Sequence, residues 1–587
     1  MTAADRPRRG PPASTPGDAP DASARALSSP NAGGPLADSP GDSPAVSGSW
    51  ALAWNLLGAI LLIAAFKPLG LWPLAWFAFV PWLRWVEPAA LPRRTYGKLY
   101  LAYVVACLGV LYWLTMAHWV AFVGWLALCL YLGIYLPIFI GLCRVAVHGW
   151  KWPLVVAAPI LWMGLEYCRC TAMTGFPMGL LCHATSDWLH VIQIADLGGA
   201  YLVSGLMVCC AAGIASAWPT STRGFRAAPL IAPALLLLAA QGYGLWRVNQ
   251  PQAAPEFRAA LIQGDRPETT EPDDDGPREL FKMYHDLSKA ALTERPELVL
   301  WPETIYRFGL AIPAPTDPAD PAPSGEAVRS PEEIATIVEE RTGPLTRMVD
   351  YWETPALLGL DLYELGTHKS KRYNAAALIA PDRGLIGTYA KVHLVPFGEY
   401  IPFGETFPWI YEYTPLGGGL SFGRDGQGVL DLPRAGKRPV RLAVSICFET
   451  TVPHRTRAQI AAAYAAGAPP DVIANVTNDG WFHGSAELDV HLACGVYRAV
   501  EMRTPLIIAA NTGLSANVDA NGRVLWQSER MKPVWHIADV AFDSRDSLYL
   551  AIGDWPVAGC LAVCLGLAIY GVRMRRSRLS PPALGHK

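Results

Sequence analysis

Charge is nearly absent from one long stretch of this chain and crowded into the rest. That asymmetry constrains the fold more than any motif does. Of 50 acidic residues, only Glu87, Glu166, Asp187 and Asp196 fall between positions 51 and 246. Hydrophobic residues make up 52% of the chain and charged ones 17%, against about 25% charged in a typical soluble domain. An ordinary soluble protein and a wholly disordered one are both excluded. The net charge of −2 supplies no basic footprint, so no nucleic-acid partner is expected.

The charge-poor segment holds seven apolar stretches of membrane-spanning length, at 50–66, 69–86, 98–117, 119–143, 153–172, 193–217 and 228–246. An eighth runs 555–572 and ends before Arg573. Residues 1–49, rich in Pro, Ala, Ser, Gly and Asp, cannot bury enough surface to offset chain entropy and read as a disordered tail. They lack the apolar run of a secretory signal. The expected organisation is this tail, a membrane domain over 50–246, a polar domain over 247–554, a C-terminal transmembrane helix over 555–572 and a basic tail over 573–587.

Basic residues in the short loops set the orientation. With the N-terminus in the cytoplasm, the cytoplasmic side carries Arg93, Arg94, Lys98, Arg144, Lys151, Arg223, Arg226, Arg573, Arg575, Arg576 and Arg578. The opposite side carries Lys67, Arg169 and Arg247. The polar domain is therefore expected outside the cytoplasmic membrane. Of the 12 cysteines, only Cys447 and Cys494 lie in that domain, too few for a disulfide framework.

The polar domain alternates strand and helix patterns, which argues for an α/β fold. Strands are expected at 257–265, 297–304, 355–364, 373–381, 384–395, 440–449, 471–479 and 505–513, and helices at 278–293, 331–351, 453–466 and 486–503. Asp382-Arg383-Gly384 suits a hairpin turn. Residues 311–330, AIPAPTDPADPAPSGEAVRS, read as a flexible insertion.

Three apolar strands end in reactive groups: LVLWPET in Glu303, GTYAKVHLVPFGEY in Lys391 and Glu399, and VRLAVSICFET in Cys447 and Glu449. Unlike titratable groups are thus placed at a sheet edge, where loops build sites. A deprotonated cysteine is a strong nucleophile, a carboxylate beside it takes the proton, and an ammonium stabilises both thiolate and oxyanion. Each residue also has a plainer reading. Cys447 could be a small core hydrophobe, Glu303 a helix cap and Lys391 a solvated strand end.

The ordered set WPET, YAKVHLVPFGEY and SICFE resembles the Glu–Lys–Cys signature of the nitrilase (carbon–nitrogen hydrolase) superfamily. The longer run K-x-H-L-V-P-F-G-E-Y, with membrane spans on both sides, resembles its membrane branch, the apolipoprotein N-acyltransferases. GFP (175–177), QIADLGGAYLVS (193–204), QGD (263–265), YNAA (373–376), NVTNDGWFHGS (475–485) and N-T-G-x-S (511–515) fit as well. The resemblance implies an α-β-β-α nitrilase-like sandwich carried by the membrane domain. It implies Cys447 as nucleophile, Glu303 as general base and acid, and Lys391 as oxyanion stabiliser. Glu399 would orient Lys391 or support the base. Asn374, Phe448 and Glu449 would complete the site, and Trp481 would lie on a lipid-contacting loop. Membrane phospholipid would be the acyl donor and the S-diacylglyceryl cysteine of an apolipoprotein the acceptor. No cofactor or metal is implied. A monomer in the bacterial inner membrane, with the catalytic domain on the periplasmic side, is expected.

Two rivals share parts of this pattern. A membrane-anchored amidase or nitrilase would use the same trio with water as second nucleophile, but one anchor would suffice for it. A non-catalytic scaffold or transporter would not need Cys447. Gly419-Leu420-Ser421-Phe422-Gly423 matches a nucleophile elbow but lacks the strand before and helix after it. Cys168-Arg169-Cys170 with His183 fits no standard zinc spacing, and His454, His483 and His491 show no paired ligand spacing. Glu166 and Arg169, three apart at a span end, could pair with each other or line a lipid entrance.

Overall fold

In a computed structural model, the described residues are 48–117, 121–220, 223–266, 276–315, 329–404, 406–413, 419–424 and 426–579. The expected N-terminal tail, most of the 311–330 insertion and the end of the basic tail lie outside them.

Among the described residues, five helices are long and apolar enough to cross a membrane: Ala121–Gly149, Leu154–Thr174, Ala195–Ala217, Ala228–Val248 and Trp555–Arg575. Leu52–Ala65 is a shorter apolar helix, and Arg93–Val110 opens on three basic residues within its first six positions. The expected span 69–86 is not one helix. It breaks into short turns at Trp72–Trp76, Val80–Leu83 and Arg84–Val86. Pro73 and Pro81 each sit in the first turn of such a piece, where a missing N–H costs nothing, and neither could sit inside a longer helix without breaking its ladder. The segment packs into the protein instead. Phe79, Trp82 and Leu83 are fully buried, and Phe79 meets Trp82, Phe139 and Trp162 edge-on at 4.5–6.0 Å. Helix Leu154–Thr171 lies hard against the C-terminal helix, because Gly164 has no side chain. A Cβ there would stand 2.7 Å from the Cys560 and Leu561 backbone.

The polar domain holds twelve strands among the described residues: β1 (Phe257–Gln263), β2 (Leu298–Pro313), β3 (Ala356–Leu365), β4 (Ser370–Ala380), β5 (Gly384–Ala390), β6 (Val429–Leu432), β7 (Val440–Ile446), β8 (Val472–Thr477), β9 (Leu506–Ala510), β10 (Ala516–Val518), β11 (Val524–Gln527) and β12 (Val534–Val540). They form two six-stranded sheets, ordered β12-β1-β2-β3-β4-β5 and β11-β10-β9-β8-β7-β6. The central pairs β1–β2, β2–β3, β7–β8 and β8–β9 are parallel and the flanking pairs antiparallel. The parallel strands are buried on both faces, which is why they read as unbroken apolar runs.

The sheets face each other through one core that includes Leu261, Leu300, Leu378, Val444, Ile446 and Val476. Helices Gly276–Leu292 and Pro331–Trp352 cover the outer face of the first sheet through Tyr284, Ala291, Leu345 and Val349. Helices Pro453–Ala465 and Glu487–Met502 cover the second. The fold is an α-β-β-α sandwich beside a helical membrane domain. Every residue of Glu487–Met502 except Asp489 is buried, because its second side packs on the membrane helices in a shared core.

The turn at Asp382–Gly384 joins antiparallel β4 and β5, with Asp382 and Gly384 both at positive φ. Residues 311–313, expected in a flexible insertion, instead extend β2 and pair with Tyr363, Glu364 and Leu365. Ser330 caps helix Pro331–Trp352 through a reciprocal bond with Glu333.

Candidate active site

Lys391 and Cys447 follow the ends of strands, as expected, whereas Glu303 lies inside β2, which runs on past it, and Asn374 lies inside β4. Glu303 interrupts β2, whose register with β3 slips between Trp301 and Tyr306. Pro302 has no N–H for the ladder, and Thr304 stands at positive φ, so the strand bulges and re-aims Glu303. Gly359 on β3 makes room for this bulge. A Cβ there would lie 2.1 Å from the Pro302 carbonyl oxygen and 2.6 Å from Glu303 Cα. Lys391 follows β5 directly, and Cys447 follows β7 at φ 48°, a left-handed backbone that is uncommon for a cysteine.

Three buried polar side chains, Glu303, Asn374 and Lys391, form a closed square with the half-buried Glu399. Lys391 Nζ donates to Glu303 Oε1 at 3.0 Å and to Glu399 Oε1 at 2.9 Å. Asn374 Nδ2 donates to the same two oxygens, at 2.6 and 2.7 Å. The remaining oxygens are held by backbone: Glu303 Oε2 accepts from Asn478 N at 3.0 Å, and Glu399 Oε2 from Val395 N at 2.8 Å. Both carboxylates therefore have fixed positions before any substrate arrives.

The electrostatics follow from this packing. Burial pushes the Glu303 carboxyl up, against the pull of Lys391, which makes it a better proton acceptor than a solvated glutamate. Burial alone would discharge Lys391, but Glu303 and Glu399 outweigh it and hold the ammonium well above its usual range. Cys447 keeps some solvent exposure. Burial of its thiol, with Glu303 adding to the effect and Lys391 opposing it, holds the proton on sulfur at rest.

Glu449 lies in the turn that carries Cys447. It accepts from Ile446 N and Val392 N at 2.8 Å, His393 N at 3.0 Å and the Tyr389 hydroxyl at 3.0 Å. It thus staples the turn bearing Cys447 to the segment bearing Lys391. Phe448 stacks on His393 at 5.7 Å, and burial lowers the His393 pKa to about 4, so that ring is neutral.

Trp481 is 39% exposed on the Gly480–Phe482 turn, and the adjoining Phe482 packs edge-on against Trp113 of the membrane domain at 5.4 Å. Phe397, Phe403, Phe407, Trp409 and Phe422 add large exposed apolar surface to the segment that follows Lys391. Residues 419–424 have no regular secondary structure, so the G-x-S-x-G match has no elbow.

Glu166 and Arg169 do not pair. Glu166 accepts from Leu181 N, and Arg169 donates to the carbonyls of Phe176, Met178 and Gly179. They fasten the GFP loop to the helix end.

Chain-wide comparison agrees with this geometry. The model of the apolipoprotein N-acyltransferase N-terminal domain matches residues 58–213, and the carbon-nitrogen hydrolase model matches residues 258–548. The apolipoprotein N-acyltransferase of Geobacter metallireducens is 30% identical over 536 residues, covering 88% of this chain and 95% of the relative. That of Rhodopirellula baltica is 31% identical over 579 residues, covering 90% and 99%. The chain belongs to the apolipoprotein N-acyltransferase family. It is an acyltransferase, and its long apolar helices fit a membrane protein. Among solved structures, a nitrilase-superfamily amidase from Nesterenkonia AN1 aligns with 51% of this chain and 95% of its own, at 18% identity and a TM-score of 0.32.

Sequence reasoning missed Asn478, which holds Glu303 through its backbone, and the buried group Asp479, Glu487 and His491, whose ligand-type atoms lie within 4.8 Å of one another. A signal existed for Asn478 and Asp479, since they end an apolar parallel strand as Glu303 and Cys447 do. None existed for His491, which lies within a helix.

Proposed function

We propose that this enzyme moves an acyl chain from a membrane phospholipid to the α-amino group of the S-diacylglyceryl cysteine of an apolipoprotein, through a thioester on Cys447. The observation that carries the reading is the Lys391–Glu303–Glu399–Asn374 square beside Cys447. Glu303 takes the thiol proton as sulfur attacks the ester carbonyl. The Lys391 ammonium stabilises the oxyanion that forms. The C–O bond then breaks, Glu303 returns the proton to the departing oxygen, and lysophospholipid leaves. In the second half the amine attacks the thioester, Glu303 takes its proton, the amide forms and the thiol is restored. Glu399 and Asn374 hold Lys391 and Glu303 in register throughout, and Glu449 and Phe448 fix the nucleophile turn.

The membrane domain gives this chemistry its setting. Each methylene moved from lipid to water costs about 0.8 kcal/mol, so the acyl chains stay in the bilayer and the site comes to them. The exposed Trp481 and the apolar segment after Lys391 would meet those chains. We read 247–554 as lying on the periplasmic side of the inner membrane and 573–587 in the cytoplasm, a reading that the excess of basic residues in the loops assigned to the cytoplasm supports. One chain contains every group the reaction uses, in keeping with a monomer.

Intact-protein mass spectrometry after incubation with phospholipid vesicles tests the reading. Wild type should gain one hydroxylamine-labile acyl group, and Cys447→Ala none. A diacylglyceryl-cysteine peptide should then remove it as amide. Release as free fatty acid would favour the hydrolase, and no adduct on folded protein would refute the thioester.

A further inference from the structure

Against the turn that carries Cys447 lies a second buried polar group that the reaction scheme does not use. His491 is 5% exposed and both of its ring nitrogens face acceptors. Nδ1 stands 3.2 Å from Asp479 Oδ1, and Nε2 stands 3.1 Å from the carbonyl oxygen of Cys447. The Thr450 hydroxyl lies 2.9 Å from Nε2 and itself donates to the Cys447 carbonyl at 3.0 Å, so toward His491 it can only accept. A neutral ring would leave one ring nitrogen facing its acceptor without a proton, whereas the doubly protonated ring donates from Nδ1 to Asp479 and from Nε2 to the Cys447 carbonyl, with the Thr450 hydroxyl sharing the second proton. Asp479 supplies the counter-charge and is itself held by the Thr477 hydroxyl at 2.8 Å. Glu487 faces the ring from its own helix at 4.0 Å, with Oε2 buried and unpartnered.

The Cys447 carbonyl is thus gripped at the residue whose backbone is left-handed. That conformation costs of order 1–3 kcal/mol for a non-glycine residue and persists only where surrounding structure enforces it.

We propose that His491, as an imidazolium anchored by Asp479, is a positioning residue for the nucleophile. It holds the Cys447 carbonyl and so keeps the backbone in the conformation that presents the thiol to Glu303 and Lys391. This rests on the reading of Cys447 as the acyl carrier. It assigns no contact between His491 and substrate.

The test uses the full-length enzyme in detergent, as wild type, His491→Ala and His491→Gln. Thermal unfolding, kcat and KM for thioester formation, Cys447 alkylation by iodoacetamide from about pH 6 to pH 10 and bound metal are measured on each. His491→Ala should lower kcat about 10²-fold, with KM little changed, by misplacing the thiol. Glutamine can still donate to the same carbonyl and should restore about tenfold of that loss, the worth of one hydrogen bond. Alkylation should rank in the same order, wild type fastest. An alanine variant with wild-type kcat overturns the proposal. So do alanine and glutamine variants equally impaired and equally destabilised, which would mark a packing role. Stoichiometric metal in wild type, lost in both variants, would reassign the cluster to a cation and overturn it too. If wild type forms no thioester, the proposed reaction fails, and the alkylation order alone still decides the role of His491.

Discussion

Arg503 donates to Asp196 at 2.6 Å across 307 residues of sequence, and both side chains are buried. Asp196 opens a membrane-domain helix, while Arg503 closes the helix that backs the second sheet. The same carboxylate takes Arg247 at 2.7 Å and the Tyr243 hydroxyl at 2.8 Å. Removing it leaves two buried guanidiniums facing each other. Asp196→Ala should cost about 3–5 kcal/mol, the usual result of breaking a buried pair from one side. Denaturant or thermal unfolding in detergent measures it, and a loss below about 1 kcal/mol would mean that solvent reaches this junction.

Gly359 touches the Glu303 bulge directly. In Gly359→Ala the new methyl would sit 2.1 Å from the Pro302 carbonyl oxygen, so backbone must move, and Glu303 with it. A displacement of that kind costs about 10²-fold in rate. Acyl-enzyme formation should fall by that order while the protein remains folded by circular dichroism. Unchanged kinetics would show that the bulge can relax.

Asn374 donates to Glu303 and Glu399 at once. Asn374→Ala leaves Lys391 alone between two carboxylates. We expect kcat to drop by about 10–10²-fold with KM nearly unchanged, since the one charge-assisted bond lost at the base, Glu303, is worth about 1.5–3 kcal/mol. A change confined to KM would contradict a role in holding the base.

His491 makes stability depend on pH in a definite direction. Burial alone would lower its pKa, but Asp479 and Glu487 raise it from 6.5 to about 9. A histidine pKa raised on folding contributes fully below about pH 6.5 and loses its contribution as pH climbs through 9. The stability advantage of wild type over His491→Gln should therefore shrink between those limits. An advantage that grows with pH would show the ring to be neutral in the folded protein.

Glu303, Lys391 and Cys447, proposed above as the catalytic trio, stand out in the sequence because buried strands read as plain apolar runs that a Glu, Lys or Cys interrupts or ends. The membrane stretch 69–86 was misread because summed hydropathy does not register what Pro73 and Pro81 do to a helix. The end of β2 was misread for the opposite reason: Ala311-Ile312-Pro313 looks like loop, yet β3 offers it an edge to pair with. Strands β6, β10 and β11, of three or four residues, are too short to show a period. His491 and Asp479 are 12 residues apart and meet only because a turn and a helix fold back under Cys447. Pattern along a chain cannot report that.

The first and last strands of the sandwich, β1 and β12, lie side by side, paired from Phe257–Val540 to Gln263–Val534. Just outside them, Arg545 donates to the Arg247 carbonyl at 2.8 Å, so the two chain ends leading toward the flanking membrane helices are clasped together. A domain hung from one strap could swing like a pendulum above the bilayer. One hung from two straps buckled at the same point is restrained against that swing.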